Sequence, residues 1–424
     1  MKRLNVYLWL ILVFDPFISI LRQANIYNTA VLVIIYGIVA FFMVAPEAVR
    51  TYYGKNDVFL KTLAFGLILG SIVGIKNGSE QDFLRNYLAD SFNILKAIML
   101  YSFGMNFSTP LTITKSFKRI IFFSTISCTL ATIVLIIGVN TGQIGYLSGP
   151  GYTLLLPLSY YANLNNATMA FVLVLIFFST KRGAILMALG VSLLSLFLGR
   201  KYFKKEITKN SLYRNILIGL FAVILVIALA LNPRGNVWIN KQLNNVITIF
   251  DYKVLGFLEV DISNQRQLDR LGSGRITEAE SAMNAMKPID WIIGGGHGFS
   301  YYIEDYADSE GIHNVHFTPL SLTTRYGVFV TALIYLNIIS LIIRGIYWTW
   351  KVQNFNHFKV PLLYVTGAFI YSFTAYSIMN DLLFMFMAGH LSSMLINLKK
   401  ARLQNQQVSK KLYNTQSTSS FVHV

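Results

Sequence analysis

The sequence predicts an all-α polytopic membrane protein of about 12 transmembrane helices, with one large external (periplasmic) loop that contains short helices. Three observations predict it. Apolar residues make up 54% of the 424-residue chain, charged residues only 13%, and the mean hydropathy is +0.52, which is a membrane composition. The apolar residues gather in runs near the roughly 17–25 residues that a membrane span requires. One stretch, 232–318, breaks the pattern: it holds seven of the 36 Lys+Arg, eleven of the 19 Asp+Glu, and three of the six histidines (His297, His313, His316). That loop carries a net charge of −4 in a chain of net charge +17.

The positive charge invites a nucleic-acid reading, but its placement excludes one. Lys and Arg cluster in short loops between apolar runs, where the positive-inside rule puts them, so no nucleic-acid partner is expected. The single cysteine, Cys128, lies inside an apolar run, so no intramolecular disulfide is expected.

Taken in order, apolar runs cover 4–21, 26–45, 58–75, 88–106 and 119–139, then three shorter ones at 151–164, 166–180 and 183–199, and finally 215–232, 317–343, 360–380 and 382–398. The first run resembles a signal peptide. Asp15-Pro16 interrupts it and no small-residue cleavage site follows, so it reads as an uncleaved first span.

Lys2 and Arg3 place the N-terminus in the cytoplasm, as do Arg50 and Lys55 for the loop 46–57 and Lys115, Lys118 and Arg119 for the loop 107–119. The uncharged loop 140–150 falls outside. Arg200, Lys201, Lys204, Lys205, Lys209 and Arg214 return the chain to the inside. An odd number of spans therefore separates residues 150 and 200. Lys181-Arg182 splits that stretch, so three spans are expected, and ten in total is the fallback if it crosses once. The next span exits, which leaves 232–318 external, and the basic tail (Lys399, Lys400, Arg402, Lys410, Lys411) ends inside. The chain thus divides into 1–231 (transmembrane helices 1–9), 232–318 (the periplasmic loop), 319–398 (transmembrane helices 10–12) and 399–424 (a polar, disordered cytoplasmic tail).

Within the loop, Val237, Trp238, Leu243, Val246, Ile247 and Phe250 recur at helical spacing, which predicts a helix lying on the membrane surface. Thr277-Glu278-Ala279-Glu280 reads as a capping box that opens a helix ending before Pro288. Gly294-Gly295-Gly296 lacks the Gly-Lys-Ser/Thr ending of a phosphate-binding loop and reads as a turn with close backbone approach.

Several side chains could carry chemistry. Arg182 opens an apolar run at the outer face. It is either a snorkelling terminal arginine or an anion site, since a planar guanidinium suits phosphate oxygens. Arg275, beside a helix start, is either a solvated charge or a cation that joins the helix N-terminus in holding an anion. His313 lies three residues before His316, and a histidine, whose unperturbed pKa is about 6.5, suits proton transfer near neutrality. The three histidines with Asp305 and Asp308 lack a second spaced ligand pair, so no metal is expected. Glu259-Val260-Asp261 resembles a nucleotide-sugar metal pair but lies on the side where nucleotide sugars are absent. Arg325 falls about eight residues inside its span, and a buried arginine costs roughly 2.5–3.5 kcal/mol there, which makes it a functional candidate. Of the other charged residues within or beside spans, Lys96 suits pairing with a nearby acid in the core, while Asp15, Asp381 and His390 have no assigned role.

The order of these motifs carries a resemblance. Thr180-Lys181-Arg182-Gly183-Ala184 follows a short span. A large external loop with Gly274-Arg275 and the Trp291…Gly294-Gly295-Gly296 turn comes next, and His313-Asn314 then leads to Tyr326-Gly327. Over about 170–335 by motif, and over the whole chain by topology, this resembles the bacterial O-antigen polymerase and O-antigen ligase superfamily (Wzy-type and WaaL-type). The resemblance implies a metal-independent, cofactor-free, inverting glycosyl transfer at the outer face of the bacterial inner membrane, with both termini cytoplasmic. An undecaprenyl-pyrophosphate-linked oligosaccharide is the donor. Arg182 and Arg275 would hold the pyrophosphate, and His313 would act as general base or positioning group. Lys181, Asn314, His316 and Arg325 would contact substrate. Lys181 and His316 depart from the residues usual in the family.

The polymerase is favoured, with the lipid-linked repeat unit as acceptor as well as donor; the ligase, which transfers to lipid A core, is the alternative. Membrane lipid is a further partner, and the resemblance leaves room for a chain-length-regulating protein. A lipid-linked oligosaccharide transporter is a third reading. It suits the many spans but not the single loop with clustered histidines, nor the absence of a repeat between halves.

Overall fold

The computed structural model describes residues 2–23, 44–46, 48–51, 57–78, 83–111, 114–141, 150–162, 164–178, 182–199, 275–302, 315, 317–352, 355–374, 377–379 and 381–419. Among them the architecture is all-helical, with no strand. The apolar runs at 26–45 and 215–232, and the surface helix expected at 237–250, lie outside the described residues.

Helices occupy the described apolar runs. The first run is helical from Lys2 to Gln23, but a π-helical segment, Leu10–Phe14, interrupts it ahead of Asp15-Pro16. Pro16 has no N–H to give the carbonyl four residues back, and the Ser127 hydroxyl donates to the nearby Val13 carbonyl (2.5 Å). Helix α3 (Val58–Gly74) is capped by Asp57, whose carboxylate accepts the Leu60 N–H at 3.1 Å. It is followed by α4 (Phe83–Met105) and α5 (Lys115–Asn140); α1 and α2 are the two α-helical parts of the first run. Three shorter helices follow, α6 (Leu155–Tyr161), α7 (Asn166–Phe178) and α8 (Arg182–Gly199).

Among the described residues two helices are long and apolar enough to cross a membrane, over Lys115–Gly138 and Thr318–Lys351, and Val58–Gly74, Asn166–Phe177 and Gly183–Leu198 are shorter apolar helices. The run expected as a span at 151–164 holds only the seven residues of α6, which reach about 10 Å. Helix lengths by themselves therefore do not carry a count of twelve.

The loop end forms α9 (Arg275–Asn284) and α10 (Pro288–Ile293). Helix α9 opens at Arg275, two residues before the expected box, so Thr277 and Glu280 sit within its first turns rather than capping it. Then come α11 (Thr318–Val352), α12 (Phe355–Ser372) and α13 (Phe384–Ser419). Helix α13 does not stop where the apolar run ends at Leu398 but continues through the tail expected to be disordered. No Gly or Pro interrupts residues 390–419, and Lys, Arg and Gln recur there, all good helix formers.

The core is centred on α12 and on α13 packed along α4. Gly104 and Gly389 bring the α4 and α13 backbones so close that an added Cβ on either would overlap the partner's main chain, the small-residue device of membrane helix pairs. Outward, α3 shows Phe65, Ile68 and Ile72, with Ile75 just beyond it, and α4 shows Leu84, Leu88, Phe92 and Leu95, all exposed. A soluble helix puts polar residues on such a face; these faces suit lipid.

The central irregularity is in α11. Gly327 adopts φ 78°, ψ 166° inside the helix, a conformation open almost only to glycine. The break frees the carbonyls of Thr324 and Arg325. The turn after α10 fills them: the Gly295 N–H donates to Thr324 O (2.6 Å) and the Gly296 N–H to Arg325 O (3.1 Å). The next N–H, of His297, donates to Gly70 O in the last turns of α3 (2.8 Å). Gly294, Gly296 and Gly298 all have positive φ, as the expected turn requires.

Gly327→Ala should therefore destabilise by more than the roughly 1–3 kcal/mol of backbone strain alone, because the added methyl would also strike the Ile292 carbonyl. Thermal unfolding of the detergent-solubilised protein tests this against Gly345→Ala, whose methyl meets only the flexible Leu362 side chain. Equal melting temperatures for the two variants would show that the break at Gly327 is not needed.

Candidate functional site

The end of the bundle onto which residues 288–302 dock is polar inside. Asp90, near the start of the apolar part of α4, is 3% exposed and uses both carboxylate oxygens. Oδ1 accepts Arg325 Nε at 2.6 Å, and Oδ2 accepts the Gly298 N–H at 3.0 Å. Arg325 Nη1 donates to the Ser321 carbonyl (2.8 Å) and hydroxyl (2.5 Å). An ion pair so buried holds only where hydrogen bonds also satisfy both partners, and here they do.

His297 is fully buried beside this pair. Its Nδ1 lies 2.8 Å from Ser91 Oγ and 3.3 Å from Ser71 Oγ. Tyr87 and Tyr326 pack edge-to-face on its ring at 5.7 and 5.6 Å. It is thus built into the α3–α4–α11 seam. Among the described residues no group of three or more His, Cys, Asp or Glu could hold a metal ion. Asp305, Asp308, His313 and His316 lie outside the described residues.

A small second core joins the loop to α11: Ala282 and Met286 of the α9 region pack with Phe299, Tyr301, Val315 and Leu320. The Tyr301 hydroxyl donates to Glu278 Oε1 at 3.0 Å. Burial first, and the Glu278 carboxylate second, push the Tyr301 phenol well above its ordinary pKa, so it stays a donor. At the surface, Lys76 Nζ pairs with Asp290 Oδ1 (2.5 Å), and Asp290 Oδ2 accepts the Lys287 N–H at the start of α10 (3.1 Å).

Of the residues singled out from sequence, Arg182 is the first residue of α8 and Arg275 the first of α9; their side chains lie outside what is described. Lys181, His313, Asn314 and His316 lie outside the described residues. Their neighbours are placed. Gly183 abuts Tyr371 and Thr374 at the end of α12. Phe373 meets Phe317 at 6.2 Å between ring centres, and Phe317 precedes the first turn of α11. Helix α9 also contacts α11. Helices α8 and α9, which Arg182 and Arg275 open, thus both contact α11.

Arg325, expected at substrate, has Nε and Nη1 committed to Asp90 and Ser321. Sequence reasoning does not reach Asp90, Ser71, Ser91 or Tyr87. A signal for Asp90 exists: it is an acid seven residues after the start of α4, as Arg325 is seven residues after the start of α11.

The comparisons with protein-family models and with curated proteins return no match for this chain.

Asp90→Ala should cost on the order of 3–5 kcal/mol, because it strands a buried guanidinium. The double variant Asp90→Ala/Arg325→Met should be more stable than Asp90→Ala alone. Melting temperatures of the singles and the double check this, and simple additivity would mean the two groups are not coupled.

Proposed function

We propose that the chain is a multi-pass inner-membrane glycosyltransferase that polymerises undecaprenyl-pyrophosphate-linked repeat units into a surface polysaccharide, as O-antigen polymerases do, with 232–318 on the periplasmic side. The observation that supports the reading is that α8 and α9, which Arg182 and Arg275 open, both contact α11, the helix that follows His313 in sequence. Helix direction supports the sidedness. The end of α3 and the starts of α4 and α11 meet at the glycine turn, as the alternation of basic loops requires.

The chemistry suits these groups. The bond between the donor anomeric carbon and the pyrophosphate oxygen breaks with its electron pair going to the pyrophosphate. The acceptor hydroxyl oxygen attacks the opposite face, which inverts the centre, and its proton passes to His313. Arg182 and Arg275 hold the pyrophosphate as its charge grows; fixed cations aimed at developing charge usually contribute more to catalysis than any other single effect. A positioned histidine adds about 10²–10⁴-fold.

The test is an assay of purified protein with undecaprenyl-pyrophosphate repeat unit, chelator and no nucleotide sugar, the products being resolved on a gel. A ladder of lengthening lipid-linked chains is expected. His313→Ala should slow it by roughly 10²-fold or more, and Arg182→Ala by roughly 10²–10³-fold. Transfer only after lipid A core is added would make the protein a ligase, and no transfer to either acceptor would overturn the enzyme reading.

A further inference from the structure

The first apolar run carries an acid that no cation balances. Asp15 stands well inside that run, directly after the π-helical segment Leu10–Phe14, and Leu12 and Pro16 on either side of it are buried. π-Helical turns within α-helices often mark functional sites, and an ionisable group within a span is costly unless it is paired. Tyr152, in the turn that leads into α6, donates its hydroxyl to Asp15 Oδ2. Among the described residues Oδ1 takes no hydrogen bond, and no Lys, Arg or His pairs with Asp15.

The neighbouring carboxylates of the bundle are engaged. Asp90 holds Arg325. Asp381, in the connection between α12 and α13, accepts the Tyr364 hydroxyl at Oδ2 and the Leu383 N–H at Oδ1, each at 2.8 Å. Lys96 lies within electrostatic range of Asp381, while its Nζ donates to Asn93 Oδ1 at 3.0 Å. The core partner expected for Lys96 is therefore Asp381, without salt-bridge contact. Tyr152 is within electrostatic range of both Asp15 and Asp381, and Cys128 of α5 is within range of Asp15. Against two carboxylates this region sets one ammonium.

Beside Asp15 is an oxygen with nothing to bind. Thr153 Oγ1 is fully buried and has no hydrogen-bond partner, and it lies against the Tyr152 hydroxyl. Pro157, four residues on, has no N–H for the Thr153 carbonyl. A buried hydroxyl left unpaired by the protein points to a water or an ion at that place. The π-helical segment packs on α5, α5 on α6, and α6 on α12, which holds these groups in one seam.

We propose that Asp15, Tyr152 and Thr153 form an intramembrane site for one monovalent cation, taken by sodium or, in its place, by a proton. Carboxylate and neutral oxygen ligands suit a hard cation, and irregular backbone within a membrane bundle is where sodium and protons are held. One positive charge balances Asp15, and a divalent ion would leave a charge over. The site is separate from Arg182, Arg275 and His313 and does not rest on the polymerase reading.

The test is equilibrium binding of radioactive sodium to the full chain in detergent, at mildly alkaline pH where protons compete least. Wild type should bind one sodium per chain, and its melting temperature should rise with sodium chloride but not with choline chloride. Asp15→Asn should abolish binding. Thr153→Val should weaken it by about tenfold or more, as loss of one ligand group implies, and it keeps both the shape of the buried residue and the Asp15 charge, so it reads the site even if Asp15→Asn does not fold. Sodium bound equally by wild type and both variants overturns the site. If wild type binds no sodium, infrared spectroscopy decides. A carboxylic-acid C=O band at neutral pH that is lost in Asp15→Asn gives the site to a proton. Absence of that band, with Asp15 ionised and alone, overturns the proposal.

Discussion

The structure depends on a set of backbone hydrogen bonds between a glycine turn and a broken helix. In an apolar surrounding each unsatisfied peptide group costs several kcal/mol, so a membrane helix that breaks must find new donors. Helix α11 breaks at Gly327 and finds them in Gly295 and Gly296. The same turn reaches α3 through the His297 N–H and α4 through the Gly298 N–H on Asp90. Four consecutive backbone donors thus join three helices. Residues 294–298 are consequently a piece of the bundle.

The buried charges follow from the same junction. Asp90 receives both the turn and Arg325, so its carboxylate couples the position of the turn to the first turns of α11. A buried ion pair is weak evidence for stability, because desolvation offsets most of the attraction. What it adds here is register. A shift of the turn by one residue would remove the Gly298 N–H from Oδ2 and leave the carboxylate half-satisfied. His297 extends this inward between Ser71 and Ser91.

The helices are legible in the sequence because apolar runs and breakers are local signals. The turn is legible too, since three glycines before a histidine have few other uses. Its partner is not: the break at Gly327 and the freed carbonyls 30 residues away are one feature seen only in three dimensions. Arg325 is legible as costly, and Asp90 is the partner that the cost demands, but pairing across 235 positions has no sequence signature. The run at 151–164 reads as a span because hydropathy does not distinguish a seven-residue helix followed by a turn from a continuous one. The tail at 399–419 reads as disordered when low hydropathy is weighed above helix propensity, and propensity prevails there. Of the candidate site, the chain order of Arg182, Arg275 and His313 is legible, and helices α8 and α9 both reach α11; the side-chain geometry is set by folding and has no local signal.

On the proposed function, the chemistry sits near the start of α11. Transfer between two lipid-anchored sugars requires reacting groups held to within fractions of an ångström at the ends of rigid elements. Arg182 and Arg275 each begin a helix, where backbone N–H groups already favour an anion. The short link between Val315 and Thr318 tethers the chain after His313 to a third helix start, and Val315 itself is buried against Met286 and Leu320. Beneath them the turn, Asp90 and Arg325 fix the helices relative to one another. Arg325, with Nε and Nη1 engaged by Asp90 and Ser321, is then better placed to hold these helices together than to touch substrate.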